Sequence, residues 1–209
     1  MKTKLFGFVI FSLIVFSSCN KDKLDTLGGG QSPIGEVGVI IESSSGTIAG
    51  VSSIEASLVS LKNGVSSFTG TAVITNSTIK NILSNHPQAE INGNNVTVSE
   101  VELRITTEGI ESINGFEPGV IVKYDSEVGD TYTINGGKQR TVVSKSTDND
   151  FFWGGMLIKT MEVEENTNKF GVKKTVYWAN HRFGLVAVEF TFDDNTTATF
   201  PVYASAMND

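Results

Sequence analysis

From Leu185 to Tyr203, apolar side chains recur at every second position. Val186, Val188, Phe190 and Phe192 alternate with Leu185, Ala187, Glu189 and Thr191, and Ala198, Phe200 and Val202 alternate with Thr197, Thr199 and Tyr203. A period of two marks a strand with one dry face. The same period constrains the loop between the two runs. Directly opposed residues point to one face, so the even-numbered apolar residues must pair with one another, which requires an odd number of loop residues. A two-residue Asp194-Asn195 turn is thereby excluded. A three-residue loop, Asp193-Asp194-Asn195, satisfies the parity, with Asn195 in the left-handed conformation that Asn tolerates. Phe190 is then expected opposite Ala198 and Val188 opposite Phe200, and Asp193 and Asp194 serve the turn rather than a metal.

Beyond this hairpin, the chain from residue 36 on is a series of β-branched and aromatic runs cut by Gly, Asn and Asp. Strands are expected near 37–42, 54–61, 67–74, 96–106, 119–124, 130–134, 139–146, 156–164 and 172–179. Asn135-Gly136-Gly137 signals a hairpin, and Asn92-Gly93-Asn94-Asn95 and Asn166-Thr167-Asn168 signal turns. One helix stands out. Asn76 or Ser77 caps it, Ile79, Ile82 and Leu83 recur at helical spacing, and Asn85-His86-Pro87 ends it, because the residue before Pro is driven out of the helical region. A helix of about ten residues is marginal alone, so its apolar stripe is expected to pack on the sheet. With 39% hydrophobic and 19% charged residues, collagen, coiled coil and wholesale disorder are excluded. The expected fold is mainly β: a curved antiparallel sheet, sandwich or open barrel with one short helix. It occupies one domain over 36–209, with a candidate subdivision at Gly115-Phe116-Glu117-Pro118-Gly119.

At the N-terminus, Lys2 and Lys4 precede an apolar run from Leu5 to Phe16, followed by Ser17, Ser18 and Cys19. This is the layout of a secretory signal peptide. The run is about twelve residues, roughly 18 Å as a helix against about 30 Å of hydrocarbon, too short to span a bilayer comfortably. Phe16-Ser17-Ser18-Cys19 resembles the lipobox of bacterial lipoproteins, with Phe where Leu is usual. The resemblance implies that 1–18 is a signal peptide and that Cys19 is acylated through its thiol, anchoring the protein to a membrane. Cys19 is the one cysteine of the chain, so once acylated it leaves no thiol for a disulfide. Residues 19–35, with Asn20-Lys21-Asp22-Lys23 and Gly28-Gly29-Gly30, read as a flexible tether. This segment resembles tethers of lipoproteins from Bacteroidetes-type bacteria. That resemblance implies an outer-membrane or cell-surface location, with a periplasm-facing one as the alternative. Asp25-Thr26-Leu27 matches the O-glycosylation pattern of the same group, with Thr26 as the acceptor.

The order Val128-Gly129-Asp130-Thr131-Tyr132-Thr133, Tyr177-Trp178-Ala179 and Gly184-Leu185-Val186-Ala187-Val188-Glu189 resembles a pattern in β-rich envelope lipoproteins of these bacteria. At the level of fold, such proteins are similar to the curved sheets of periplasmic lipoprotein carriers that cradle acyl chains. Fold likeness does not by itself license that function.

The chain carries 16 Lys and Arg against 23 Asp and Glu, a formal charge of −7. The basic footprint of a nucleic-acid binder is therefore absent. No nucleophile elbow, zinc-protease helix or phosphate-cradling loop occurs, and no cofactor or metal site is expected. The two histidines, His86 and His181, are read as a helix-end and a loop residue. Glu162, Glu164 and Glu165 are read as a solvated acidic face rather than a glycosidase pair. The aromatic residues are more suggestive. Phe151, Phe152 and Trp153 are consecutive and Tyr177 and Trp178 adjacent, so a regular strand cannot place every ring on one side. These five rings are the candidate ligand contacts, with plugs for the sheet ends as the structural alternative. The expected function is non-enzymatic: a lipid-anchored domain binding a glycan, a lipid or an envelope protein. The alternative is a structural envelope component, an adhesin or assembly subunit, that makes contacts through sheet edges. A glycan site requires coplanar exposed rings, whereas a lipid site requires an enclosed apolar cavity of several hundred Å³ or more.

Overall fold

The computed structural model describes residues 24–43, 47–115 and 117–206. The expected leader over 1–18 and the acylation site Cys19 lie outside the described residues. The chain is mainly β and antiparallel, with one α-helix among the described residues. The first strands are β1 (Val39–Ser43), β2 (Val51–Lys62) and β3 (Val65–Ile74), followed by α1 (Ser77–Ser84). Then come β4 (Ala89–Asn92), β5 (Asn95–Ile105), β6 (Gly109–Ser112), β7 (Gly119–Lys123), β8 (Thr131–Thr133) and β9 (Gln139–Lys145). The last are β10 (Phe151–Trp153), β11 (Met156–Ile158), β12 (Met161–Glu165), β13 (Val172–Asn180), β14 (Gly184–Phe192), β15 (Thr197–Pro201) and β16 (Tyr203–Ala206).

One sheet runs β16-β1-β2-β3-β5-β6-β7, with β4 added to β5; a second runs β15-β14-β13-β12-β9-β8; β10 and β11 form a separate hairpin. Strands β15 and β16 are separated only by Val202, whose N–H donates to Val186 O at 2.9 Å. The chain thus passes directly from the second sheet into the first. At the far edges, the Asn135 N–H donates to Pro118 O at 3.1 Å, bringing the β7 and β8 sides together. The first sheet curls because its ladders slip at Ser52/Glu55, Leu58/Ser60, Phe68/Gly70 and Ile110/Glu111. Ser53 and Glu100 take φ of 52° and 56° beside such slips, and each bulge adds local twist and bend.

The hairpin register matches its sequence parity. Phe190 lies opposite Ala198 and Val188 opposite Phe200, and Asn195 is left-handed at φ 65°. Asp194 accepts from the Thr196 N–H at 2.9 Å and from its hydroxyl at 2.6 Å, which is the turn role expected of it. Asn76 caps α1 by accepting from the Ile79 N–H at 3.1 Å. Ile79, Ile82 and Leu83 pack against Val51, Ile74 and Val96 of the first sheet and Val172, Phe192 and Ala198 of the second. The helix therefore roofs the space between the sheets. Leu58, Phe68 and Ile105 share a core with Val142, Val163 and Ala179, so residues on either side of 115–119 contribute to one hydrophobic cluster.

Three expectations are corrected. The strand expected at 156–164 is two, because β11 turns back on β10 while β12 joins β9 and β13. Val186 does not share a face with Val188. A bulge opposite Trp178/Ala179 sends Val186 to the outer cluster, with Leu185 taking the inner position. Residues 25–35 are docked rather than a free tether. Asp25 accepts from Lys123 Nζ at 2.9 Å and from the Thr133 N–H at 2.8 Å, Leu27 packs on the core, and Gln31 bridges Thr106.

Candidate functional site: an interior apolar cavity

Between the two sheets and beneath α1 lies a cavity of about 520 Å³. Its roof is Ile79, Ile82 and Leu83; β2, β3 and β5 contribute Val51, Ala72, Val98 and other small aliphatic residues; β13–β15 contribute aromatic bulk. Two cross-strand rows show how register builds the second wall. One reads Val142, Val163, Tyr177, Val188, Phe200 from β9 to β15. The other reads Arg140, Glu165, Thr175, Phe190, Ala198. The first is apolar apart from one phenol, whereas the second grades from an ion pair to bare hydrocarbon.

The polar end is tightly built. Arg140 and Glu165 are each 1% exposed, and Arg140 Nε donates to Glu165 Oε2 at 2.7 Å. The remaining guanidinium bonds reach across to β7 of the first sheet and the segment before it, with Gly119 O at 3.0 Å, Val120 O at 2.8 Å and Glu117 O at 2.7 Å as acceptors. Arg140 is therefore a strut between the sheets as well as half of an ion pair. The Thr167 and Thr175 hydroxyls share a hydrogen bond of 2.7 Å beside it. Burial pushes the Tyr177 phenol up to about 12, although the nearby Arg140 works against that shift. Lys169 and Phe170 line the cavity and also reach solvent, so residues 166–171 form part of its rim. That rim is clamped by Glu117, which accepts from Lys138 Nζ at 2.7 Å and pairs with Lys169 Nζ at 2.9 Å. Burial raises the Glu117 carboxyl, but the two ammonium groups outweigh it and the net shift is downward.

Three of the five candidate rings, Phe151, Trp153 and Trp178, share one outer cluster, in which the Phe151 and Trp178 rings stack at 6.4 Å between centroids; Tyr177 and Phe152 are not part of it. Tyr177 faces the cavity, and its neighbour Trp178, on the opposite face of β13, does not line it. Trp178 instead joins Phe151, Trp153, Phe183 and Tyr203 around Val186. Trp153 is 8% exposed, donates its indole N–H to Val202 O at 2.7 Å and lies 5.6 Å from the Tyr203 ring. Phe152 is 73% exposed and is the one of the five whose ring is fully outside. The structure thus forms no coplanar exposed pair among these five rings. Thr26 is exposed on the docked segment between Asp25 and Leu27. His181 is exposed, whereas His86 is buried at the cavity wall, where its Nδ1 accepts from the Gln88 N–H at 3.3 Å and burial lowers its pKa.

Glu162 and Glu164 are partly exposed as expected, but Glu165 is not part of a solvated face. The signal for this was its parity with Met161 and Val163, both inward. Arg140 shares parity with Val142 in the same way. A charge on an apolar face is the mark of a buried pair or a site. Comparison of the chain with protein-family models, characterised proteins and solved structures finds no match to any of them.

Proposed function

We propose that this protein is a non-enzymatic binder of a lipid-like molecule, which it holds by its hydrocarbon part between the two sheets and beneath α1. The carrying observation is the cavity of about 520 Å³ with its aliphatic and aromatic walls. That volume is within the range of small-molecule sites, about 300–1,000 Å³. Burying a methylene there contributes about 0.8 kcal/mol, so a chain of several carbons is bound without any catalytic group. The same reading places the domain at a membrane through acylated Cys19, at the outer membrane or cell surface, because Lys2, Lys4, the apolar run and Phe16-Ser17-Ser18-Cys19 precede it. Lipid is favoured over glycan because Phe152 alone of the five rings is exposed, so they offer no exposed pair to a sugar face.

The test uses the neutral dye N-phenyl-1-naphthylamine, which fluoresces on entering an apolar site. A saturable rise with the purified protein is expected, and Ala56→Phe, which fills the cavity from β2, should lower the amplitude at least several-fold with the thermal melt intact. Unsaturable uptake, or uptake indifferent to Ala56→Phe, sinks the reading. The tryptophans are unsuitable probes because neither Trp153 nor Trp178 lines the cavity. A second reading, an envelope component contacting a partner protein, is favoured by one observation: Phe152, Met156 and Leu157 of the β10–β11 hairpin are all exposed.

A further inference from the structure

At the polar end of the cavity, the cations are already answered and an acceptor is not. Arg140 donates to one carboxylate and three carbonyl oxygens, Lys138 to Glu117 and Thr167 O, and Lys169 pairs with Glu117. Glu165 lines the cavity at 1% exposure, and only its Oε2 is engaged by Arg140. Its Oε1 is buried and finds no hydrogen-bond partner among the described residues. A buried acceptor left unmade is costly, more so when it carries charge, and it rewards a ligand that supplies the donor. The cross-strand row leading away from it, Thr175 to Phe190 to Ala198, turns apolar within two strands. A molecule with its donor at Glu165 therefore lays its hydrocarbon along the direction in which the wall loses polarity.

We propose that the occupant is an amphiphile whose polar end donates a hydrogen bond to Glu165 Oε1, a hydroxyl or an amine, rather than an anionic or ester head that only accepts. This rests on the reading of the cavity as a lipid site and adds the class of head group to it. Among the described residues each cation at this end is already paired, so an accepting head is left with the hydroxyls of Thr167, Thr175 and Tyr177 and meets a carboxylate oxygen, whereas a donating head completes the network.

The experiment displaces N-phenyl-1-naphthylamine from the full-length protein with four ligands of equal chain length: dodecanol, dodecylamine, dodecanoate and methyl dodecanoate. Dodecanol or dodecylamine is expected to displace the dye at about tenfold lower concentration than methyl dodecanoate, with dodecanoate no better than the ester. Which of the two donors is tighter separates a hydroxyl head from an amine. Equal displacement by all four, or preference for the ester or carboxylate, overturns the head-group inference and leaves lipid binding standing. Failure of the dye itself to bind saturably overturns both. Glu165→Gln supplies a second reading, because Arg140 must hold the amide oxygen and the amide NH₂ then faces the Oε1 position. The preference should shift towards the ester by about tenfold. An unchanged preference in a folded Glu165→Gln protein would overturn the assignment to Glu165, and the wild-type panel decides the head class should that variant not fold.

Discussion

Arg140 joins a buried ion pair with Glu165 to three backbone carbonyls at and just before the start of β7. Its charge is buried and paired, which seldom adds net stability compared with a well-packed apolar replacement. Breaking such a pair is costly, because the partner is left charged and dry. Arg140→Met is therefore expected to lower unfolding free energy by about 3–5 kcal/mol in a urea melt. Adding Glu165→Leu should recover part of that loss. Recovery will be partial because Glu117 O, Gly119 O and Val120 O still lose their donor. A double variant no more stable than the single would show that strut contacts, not the stranded carboxylate, dominate.

At the scale of the element, α1 and the β14–β15 hairpin were legible because their signals are local. Asn76 caps within three residues, and the parity of Phe190 and Ala198 needs only the loop between them. Asn76→Ala should cost about 1 kcal/mol, read by chemical denaturation, with faster amide exchange confined to 77–84. A loss spread evenly over all strands would instead mean that α1 and the sheets unfold as a single unit. The elements that escaped the sequence reading, β4, β6, β10 and β16, have only three or four residues each. Such runs are too short for a period to show, and they are strands because a neighbour offers its edge. The bulge at Val186 has the same origin. Its carbonyl is held by Val202, where the chain leaves one sheet for the other, a requirement of the closure rather than of local sequence.

Across the whole molecule, the rim clamp and the cavity wall couple stability to pH in one direction. Glu117 has its pKa held below the ordinary 4.5 in the fold, so its contribution is complete above that value and is lost as pH falls through the folded value. Burial lowers His86 below its ordinary 6.5, so the unfolded chain takes up a proton first and stability again falls as pH drops below 6.5. Stability should therefore decline from about pH 6.5 downward and more steeply below about 4.5. Thermal melts across pH 3–8 check this, and Glu117→Gln should flatten the lower segment while leaving the upper one unchanged. A steep lower segment that survives in Glu117→Gln would assign it to other carboxylates.

What could be read from the chain alone is whatever depends on neighbours a few residues away: the mainly β class, the capped helix with its inward stripe, the three-residue loop and its register. These follow from side-chain periods and backbone preferences, which act over a turn or a hairpin. The cavity and its polar end belong to the tertiary structure. Arg140 and Glu165 lie 25 residues apart on strands that meet only through sheet order, and two carbonyl acceptors of Arg140, Gly119 O and Val120 O, sit on a different sheet. Parity marked both charges as inward, but only the curl of the first sheet and the closure through Val202 decided what they would face. A pocket is the space left between surfaces, and that space is determined by how the surfaces curve towards each other, which no local pattern encodes.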